Sequence, residues 1–471
     1  MTQAPEFQSP PTQKAAPTSD VASPEQTPST PSTKDAPAME TPARSSRIPG
    51  FYRLDVDDRH RELEERFGLA ADELAILKDG SRLDVGRADK MVENCVGVFG
   101  LPIGLGLNFQ VNGRDYAVPM VVEEPSVVAA VSNMARTVRK AGGFTAEADD
   151  SLMIGQVQIL GAPDPVAAVE TLRASEQRIL EQADAVHPNM KRRGGGARSI
   201  EVRAFEEPYP MIVLHLLVDC GEAMGANAIN AMAEGVAPLV EELTGGRVNL
   251  RILSNLADRR CARAFCKIPE MHLAGNGFGG EEVAEGIVQA YRFAAVDPYR
   301  AATHNKGVMN GIDAVAIATG NDWRGVEAGA HAFAARGGRY TSLTKWWRED
   351  GCLHGSIELP MAVGVVGGST NVHPTIRVMR KILDVGSAAE LGMVMAAVGL
   401  AQNMGALRAL ATEGIQRGHM SLHARSVALA AGAEGALVDE IAGELIAAGK
   451  VKLDLAKELI AAREAAARKV G

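Results

Sequence analysis

Six runs between residues 156 and 253 leave few folds open to this chain. Residues 156–160 (QVQIL) have strand spacing, 165–186 helical spacing, and 199–205 (SIEVRAF) and 211–219 (MIVLHLLVD) strand spacing again. A helix over 226–243 and a strand over 247–253 (RVNLRIL) complete the series. The order β-α-β-β-α-β predicts the split βαβ, or ferredoxin-like, arrangement. We place this small domain at 120–252, inserted between two parts of a larger α-rich domain, 47–119 and 253–414. In the larger domain Ser387 and Glu390 have capping-box spacing. They open a helix that runs to about Thr412, with Gly414 as its stop, and that is apolar on most faces and therefore buried. Leu437, Ile441 and Leu445, then Val451, Leu455 and Leu459, repeat helical spacing and predict a C-terminal helical module over 415–471. The fold class is α+β.

The first 46 residues carry a different signal. The stretch through Pro49 holds ten of the 23 prolines, mixed with Thr, Ser, Ala and Gln. Such a segment buries too little apolar surface to offset its ordering entropy, so 1–46 reads as a disordered leader. Folding begins near Arg47, and Leu63 and Phe67 share a face of a short helix that Gly68 can end. A net charge of -9 argues against a nucleic-acid surface but leaves room for an anionic small ligand. The five cysteines, without a CxxC pair, read as reduced thiols of a cytoplasmic protein. The N-terminus has no apolar core of the kind a signal peptide needs, and the most apolar run, Gly392–Ala401, is too short to span a membrane.

Several stretches carry residues suited to chemistry. Gly275-Asn-Gly-Phe-Gly-Gly280 matches GxGxxG, but its preceding residues make a poor strand and no acidic residue ends a second one, so it reads as a loop. Glu222-Ala-Met-Gly-Ala-Asn227 follows the strongest strand and opens a helix, whose free amides suit a pyrophosphate. By itself it is equally an ordinary strand-to-helix turn. Glu93 lies in the apolar, glycine-rich run Met91–Gly97; burial there would raise its pKa and make it a candidate general acid, or a buried Glu bonded to backbone.

The densest polar cluster runs from Asp297 and Arg300 through His304, Lys306 and Asn310 to Asp322 and Arg324. A lysine beside a carboxylate stays protonated and can stabilise a developing oxyanion, and Arg300 can clasp a carboxylate. His419 and His423 are four apart, but no Glu follows the first as in HExxH and no third ligand is evident. A proton donor on a terminal module is the better reading than zinc.

ENCVG, EAMGAN, HNKGVMNGID, TGNDWR and GHMSLHAR occur in that order, and together they closely resemble the class II hydroxymethylglutaryl-CoA reductase family over residues 47–471. The resemblance implies a large domain that binds hydroxymethylglutaryl-CoA, a small domain that binds the nicotinamide nucleotide, and a mobile C-terminal flap. It implies homodimers, or assemblies of dimers, with active sites at the subunit interface, mevalonate and CoA as the other reactants, and no metal. Glu93, Lys306, Asp322 and His419 match the family's catalytic residues. Arg300, Asn255 and Asn310 fall where it contacts the acyl group, while His187, Glu222, Met224, Gly225 and Asn227 fall at the nucleotide. A non-catalytic CoA-ester-binding regulator on the same fold is the alternative, and it would be favoured had any of the four catalytic matches been missing.

The chain departs from the family at Glu222, where an Asp is usual, and at His187, where NAD-preferring relatives carry an Asp. An Asp at the latter place would repel a 2′-phosphate. His187 does not, and Lys191, Arg192 and Arg193 follow it, so NADPH is expected to be accepted beside NADH.

Overall fold

The computed structural model describes residues 44–79, 83–368, 372–412 and 414–470, with the side chains of 415–422 and 466–470 outside that description. Most of the expected leader, residues 1–43, also lies outside the described residues. The body begins slightly earlier than the composition suggests. Ser46 is buried, donates from Oγ to the Phe109 carbonyl at 2.8 Å, and takes Asp115 Oδ2 on its amide at 2.9 Å.

Helices α1 (Val56–Phe67), α2 (Ala71–Lys78) and α3 (Val85–Ala88) lead into a hairpin of β1 (Ile103–Val111) and β2 (Arg114–Val121). Leu63 and Phe67 are buried and Gly68 ends α1, as expected. Next come α4 (Val127–Arg139) and β3 (Thr145–Ala148). These two were expected in the small domain, and here the structure differs. The buried stripe Val127, Val131, Met134, Ala135 and Val138 joins Phe109, Val118 and Met120 in the large core. An amphipathic helix needs an apolar partner but does not say which one, so the stripe fitted either core.

The small domain therefore starts near β4 (Leu152–Leu160), followed by α5 (Pro165–Ala174), α6 (Glu176–Val186) and α7 (Pro188–Arg192). The single helix expected over 165–186 is broken at Ser175, which leaves helical geometry at ψ 12°. Strands β5 (Gly196–Phe205) and β6 (Met211–Asp219), helix α8 (Ala226–Thr244) and strand β7 (Arg247–Leu253) complete it. The strand order is β5-β6-β4-β7, every pair antiparallel, which is the split βαβ topology. Its core is its own: Met153, Val157, Leu214 and Leu216 meet Ile179, Ile229, Met232 and Val236.

The chain returns to the large domain with β8 (Cys261–Pro269), α9 (Gly280–Val296), α10 (Pro298–Thr319), α11 (Trp323–Ala334), β9 (Thr344–Glu349) and β10 (Cys352–Pro360). A four-stranded antiparallel sheet, β3-β8-β10-β9, forms one wall. Helices α12 (Pro374–Leu383) and α13 (Ala388–Ala411) follow. At 24 residues α13 is long and apolar enough to cross a membrane, yet Leu391, Val394, Met395, Val398, Leu400 and Met404 are spent on the large core. Ser387 Oγ accepts the Glu390 amide at 3.1 Å, but Glu390 reaches back to the Gly386 amide rather than to that of Ser387. Helices α14 (Ile415–Ala430), α15 (Leu437–Ala447) and α16 (Leu453–Val470) close a separate small core around Ala428, Ile441, Leu445 and Ala456.

The GxGxxG match sits between β8 and α9, so a strand does precede it, contrary to the sequence reading. That strand pairs antiparallel on both sides, so no parallel βαβ unit exists here and the loop reading stands for a different reason. Its last glycine is required by packing. A Cβ on Gly280 would lie 1.9 Å from the Glu270 carbonyl oxygen, a backbone atom with little room to yield. Gly280→Ala is expected to cost about 1–3 kcal/mol of stability and to lower the melting temperature without altering the KM for either substrate. An unchanged melting temperature would contradict this packing account.

Candidate functional site

Helix α10 carries the polar cluster, and its outer end is fixed before any ligand arrives. Asp297 caps it by accepting the Arg300 amide at 2.8 Å. His304 is buried, and its Nε2 receives the Asn403 amide of α13 at 3.0 Å and lies 2.7 Å from Thr344 Oγ1. Burial, with the nearby Arg300 charge, holds the His304 pKa far below its usual value, so the ring is a neutral structural pin. Asn305, also buried, donates to the Thr341 carbonyl at 2.8 Å and accepts the Leu343 amide at 3.0 Å.

With the buried face fixed, Lys306 and Asn310 share the exposed face one turn apart. Lys306 Nζ lies 2.7 Å from Glu124 Oε2, and Asn310 Nδ2 reaches the same oxygen at 3.3 Å. The expected partner, Asp322, is engaged elsewhere. It caps α11, accepting the Gly325 amide at 3.1 Å. The correction has a simple cause: Glu124 sits before α4, which packs with α10 in the one core and delivers its carboxylate to Lys306. Nothing local linked two residues 182 positions apart; a Glu-Glu-Pro run before a helix was the only trace.

Asp322 does have an expected neighbour. A Cβ on Gly325 would lie 2.9 Å from Asp322 Oδ2 and 3.2 Å from Asn255 Oδ1, so these two side chains border one spot. The guanidinium of Arg300, in the first turn of α10, has no hydrogen-bond or ion-pair partner among the described residues, and burial holds its pKa below the ordinary arginine value. An unpaired, partly desolvated guanidinium is a strong receptor for a carboxylate. Sequence reading also missed Asp313, two turns past Lys306. Burial first, then the charge and hydrogen bond of Glu327 on α11, push its carboxyl well above the usual carboxylate range.

Glu93 lies in the turn between α3 and β1 and is exposed, against the expectation that it is buried. Its neighbours are exposed too: Val92 is 61%, Val96 100% and Phe99 87% accessible. His419 lies on α14, outside the described side chains; His423, one turn further on, is exposed.

At the nucleotide end, Gly225 is the N-cap of α8 with φ 97°, and a Cβ there would come 2.3 Å from Cys220 Sγ, so only glycine fits. No side chain caps the α8 N-terminus, and its first amides stay available to an anion beside Met224 and Asn227. Glu222 points away from that end. Its carboxylate takes the Ala388 amide at 2.6 Å, at the N-terminus of α13, a reach that its extra methylene allows. His187 terminates α6, and its Nε2 is buried without a hydrogen-bond partner among the described residues. Of the three cations after it, Lys191 is tied to Asp184 at 2.7 Å and Arg192 to Asn189, which leaves Arg193.

The arrangement thus offers an ammonium held by a carboxylate, a free guanidinium for an acid group, and an open helix N-terminus for phosphates. A family model described as hydroxymethylglutaryl-coenzyme A reductase matches residues 55–424. The 3-hydroxy-3-methylglutaryl-coenzyme A reductase of Archaeoglobus fulgidus is 52% identical over 421 residues, covering 89% of this chain and 95% of its own. The Streptococcus pneumoniae reductase superposes with TM-score 0.76 at 42% identity, over 88% of this chain and 98% of that one. A further structure, the class II Streptococcus pneumoniae enzyme bound to NADPH in open conformations, has TM-score 0.75 over 77% of this chain and 99% of that one. This chain belongs to the class II hydroxymethylglutaryl-CoA reductase family, the enzymes that interconvert hydroxymethylglutaryl-CoA with mevalonate and CoA.

Proposed function

We propose that the reductase site is built between two copies of the chain and that it draws its two hydrides from NADPH, with NADH also usable. The observation that carries the pairing is the exposed apolar run around Glu93, from Val92 to Ile103. An apolar strip of that kind is costly in water and marks an interface. Covering it would take Glu93 out of water and enclose it with the rest of the site.

Each catalytic residue then has one task. A nicotinamide nucleotide bound at the α8 N-terminus would supply the hydride for the thioester carbon. Lys306, held by Glu124, stabilises the oxyanion that forms, while Asp322 stands beside Asn255 at the acyl end. His419, on the terminal helical module, gives the departing CoA thiolate its proton. Glu93 protonates the aldehyde oxygen as the second hydride arrives, completing mevalonate. Arg300 and Asn310, on the same helix as Lys306, and Asn255 hold the acyl end, with Arg300 taking the free carboxylate. The five unpaired cysteines support a cytoplasmic setting.

For the cofactor, His187 contributes no negative charge against a 2′-phosphate, and the Arg193 guanidinium has no partner among the described residues. The NADPH-bound Streptococcus pneumoniae relative supports the same choice. Glu222, bonded to the head of α13, is not counted as a ribose contact.

Lys306→Met is expected to lower kcat about 10²–10³-fold, the usual effect of losing one oxyanion donor, while circular dichroism and melting temperature stay near wild type. Retention of wild-type turnover would remove Lys306 from this role. For the cofactor, kcat/KM is measured with NADPH and NADH in the wild type and in His187→Asp. We expect measurable NADPH activity that the substitution weakens relative to NADH; a wild type active with NADH alone contradicts the reading.

A further inference from the structure

Arg260 is, among the described residues, the only Asp, Glu, Lys or Arg in the buried class, with 4% of its surface accessible. No carboxylate forms an ion pair with it among the described residues. Its guanidinium donates instead to three backbone carbonyls, those of Ala223 at 3.1 Å, Met224 at 3.4 Å, and Val363. Its direct partners are all neutral, with the Asp219 and Glu222 charges acting on it from farther off, and a desolvated cation so held is an expensive way to join two segments. An apolar side chain of similar length would be cheaper if only packing were needed.

The segments joined are informative. Ala223 and Met224 belong to the loop that opens α8. Residues 361–366 line up along that loop: the Val365 and Val366 amides donate to the Glu222 carbonyl at 2.9 and 3.3 Å, and Ala223 forms a parallel bridge with Val366. The two backbones are so close that a Cβ on Gly364 would sit 2.6 Å from the Met224 nitrogen. The other side of the same segment is tied to the acyl end. The Gly364 amide donates to Asn321 Oδ1 at 2.8 Å, and Asn321 immediately precedes Asp322. Arg260 also closes on the segment through its own carbonyl, which accepts the Met361 amide at 2.9 Å.

We propose that Arg260 is a positioning residue for the reductase reaction: it clamps the 223–224 loop onto the 361–366 segment, which Asn321 in turn fixes relative to Asp322. This rests on the reading of the Glu222–Asn227 loop as the nucleotide's phosphate seat. The hydride donor and the thioester carbon sit on different domains, so a rail shared by both ends sets their separation. A small error in such a separation costs a large factor in rate.

Arg260→Lys keeps the charge but cannot span three carbonyls, and Asn227→Ala alters the phosphate seat without touching the clamp. Binding of NADPH is read by fluorescence titration, together with kcat, the KM for each substrate and the melting temperature. The proposal expects Arg260→Lys to weaken NADPH binding and raise its KM about tenfold or more, with a lower kcat, while the KM for hydroxymethylglutaryl-CoA stays within about twofold. Asn227→Ala is expected to weaken NADPH as well. If Asn227→Ala weakens NADPH and Arg260→Lys does not, the clamp is wrong and the loop reading survives. If neither does, the loop reading falls and the clamp with it. If Arg260→Lys weakens both substrates alike and lowers the melting temperature, Arg260 is general structural support and the proposal is overturned.

Discussion

The contact between α10 and α13 governs everything functional in the large domain. Helix α10 must turn one face to the core and keep the other polar, and its rotation about its axis decides which residues meet ligand. That rotation is set by apolar packing of Val308, Met309, Ile312 and Val315, and by two polar pins, His304 and Asn305. Apolar contacts alone tolerate small rotations, whereas a buried hydrogen bond does not. His304 ties α10 to Asn403, which also accepts from Trp346 Nε1 at 2.8 Å, so helix, helix and sheet share one network. Lys306 and Asn310 point to Glu124 because of it.

A second constraint follows from what the single chain leaves uncovered. Its acyl end has Lys306 and Asn310 on α10, Asp322 at the cap of α11 and Asn255 in the connection between β7 and β8, but Glu93 stands among exposed valines and a phenylalanine. The large core is complete without that strip, since none of Val92, Val96 and Phe99 belongs to it. A sequence spends apolar residues on an exposed turn when something covers them. In the proposed dimer the covering also performs chemistry, by drying the carboxyl that protonates the aldehyde.

Much of this was legible in the sequence, for reasons that differ by element. The β4–β7 topology could be read because strand and helix periods alternate cleanly there and one connection order fits them. The family could be read because each of its motifs is short and local. Pairings across the chain could not. Lys306 meets Glu124 rather than Asp322 because two helices separated by more than a hundred residues share a core. The stripe on α4 announced burial without naming a partner, so the domain boundary moved from 120 to about 150. Glu222 was read as a nucleotide contact from its motif, yet its carboxylate caps α13, a helix that begins 166 residues later. Arg260 carried no signal at all, since nothing in a sequence marks an arginine whose partners are backbone carbonyls.

The claim that most of this account depends on is that Glu93 and Lys306 of one active site come from different copies of the chain. Co-expressing differently tagged Glu93→Gln and Lys306→Met chains, and isolating the mixed species, tests it directly. Each variant alone is expected to be nearly inactive. In a shared site the mixed dimer holds one site with both substitutions and one with neither, so the isolated mixed species regains up to about half of wild-type turnover. If the mixed species is no more active than either variant alone, the site belongs to a single chain and the interface account is wrong.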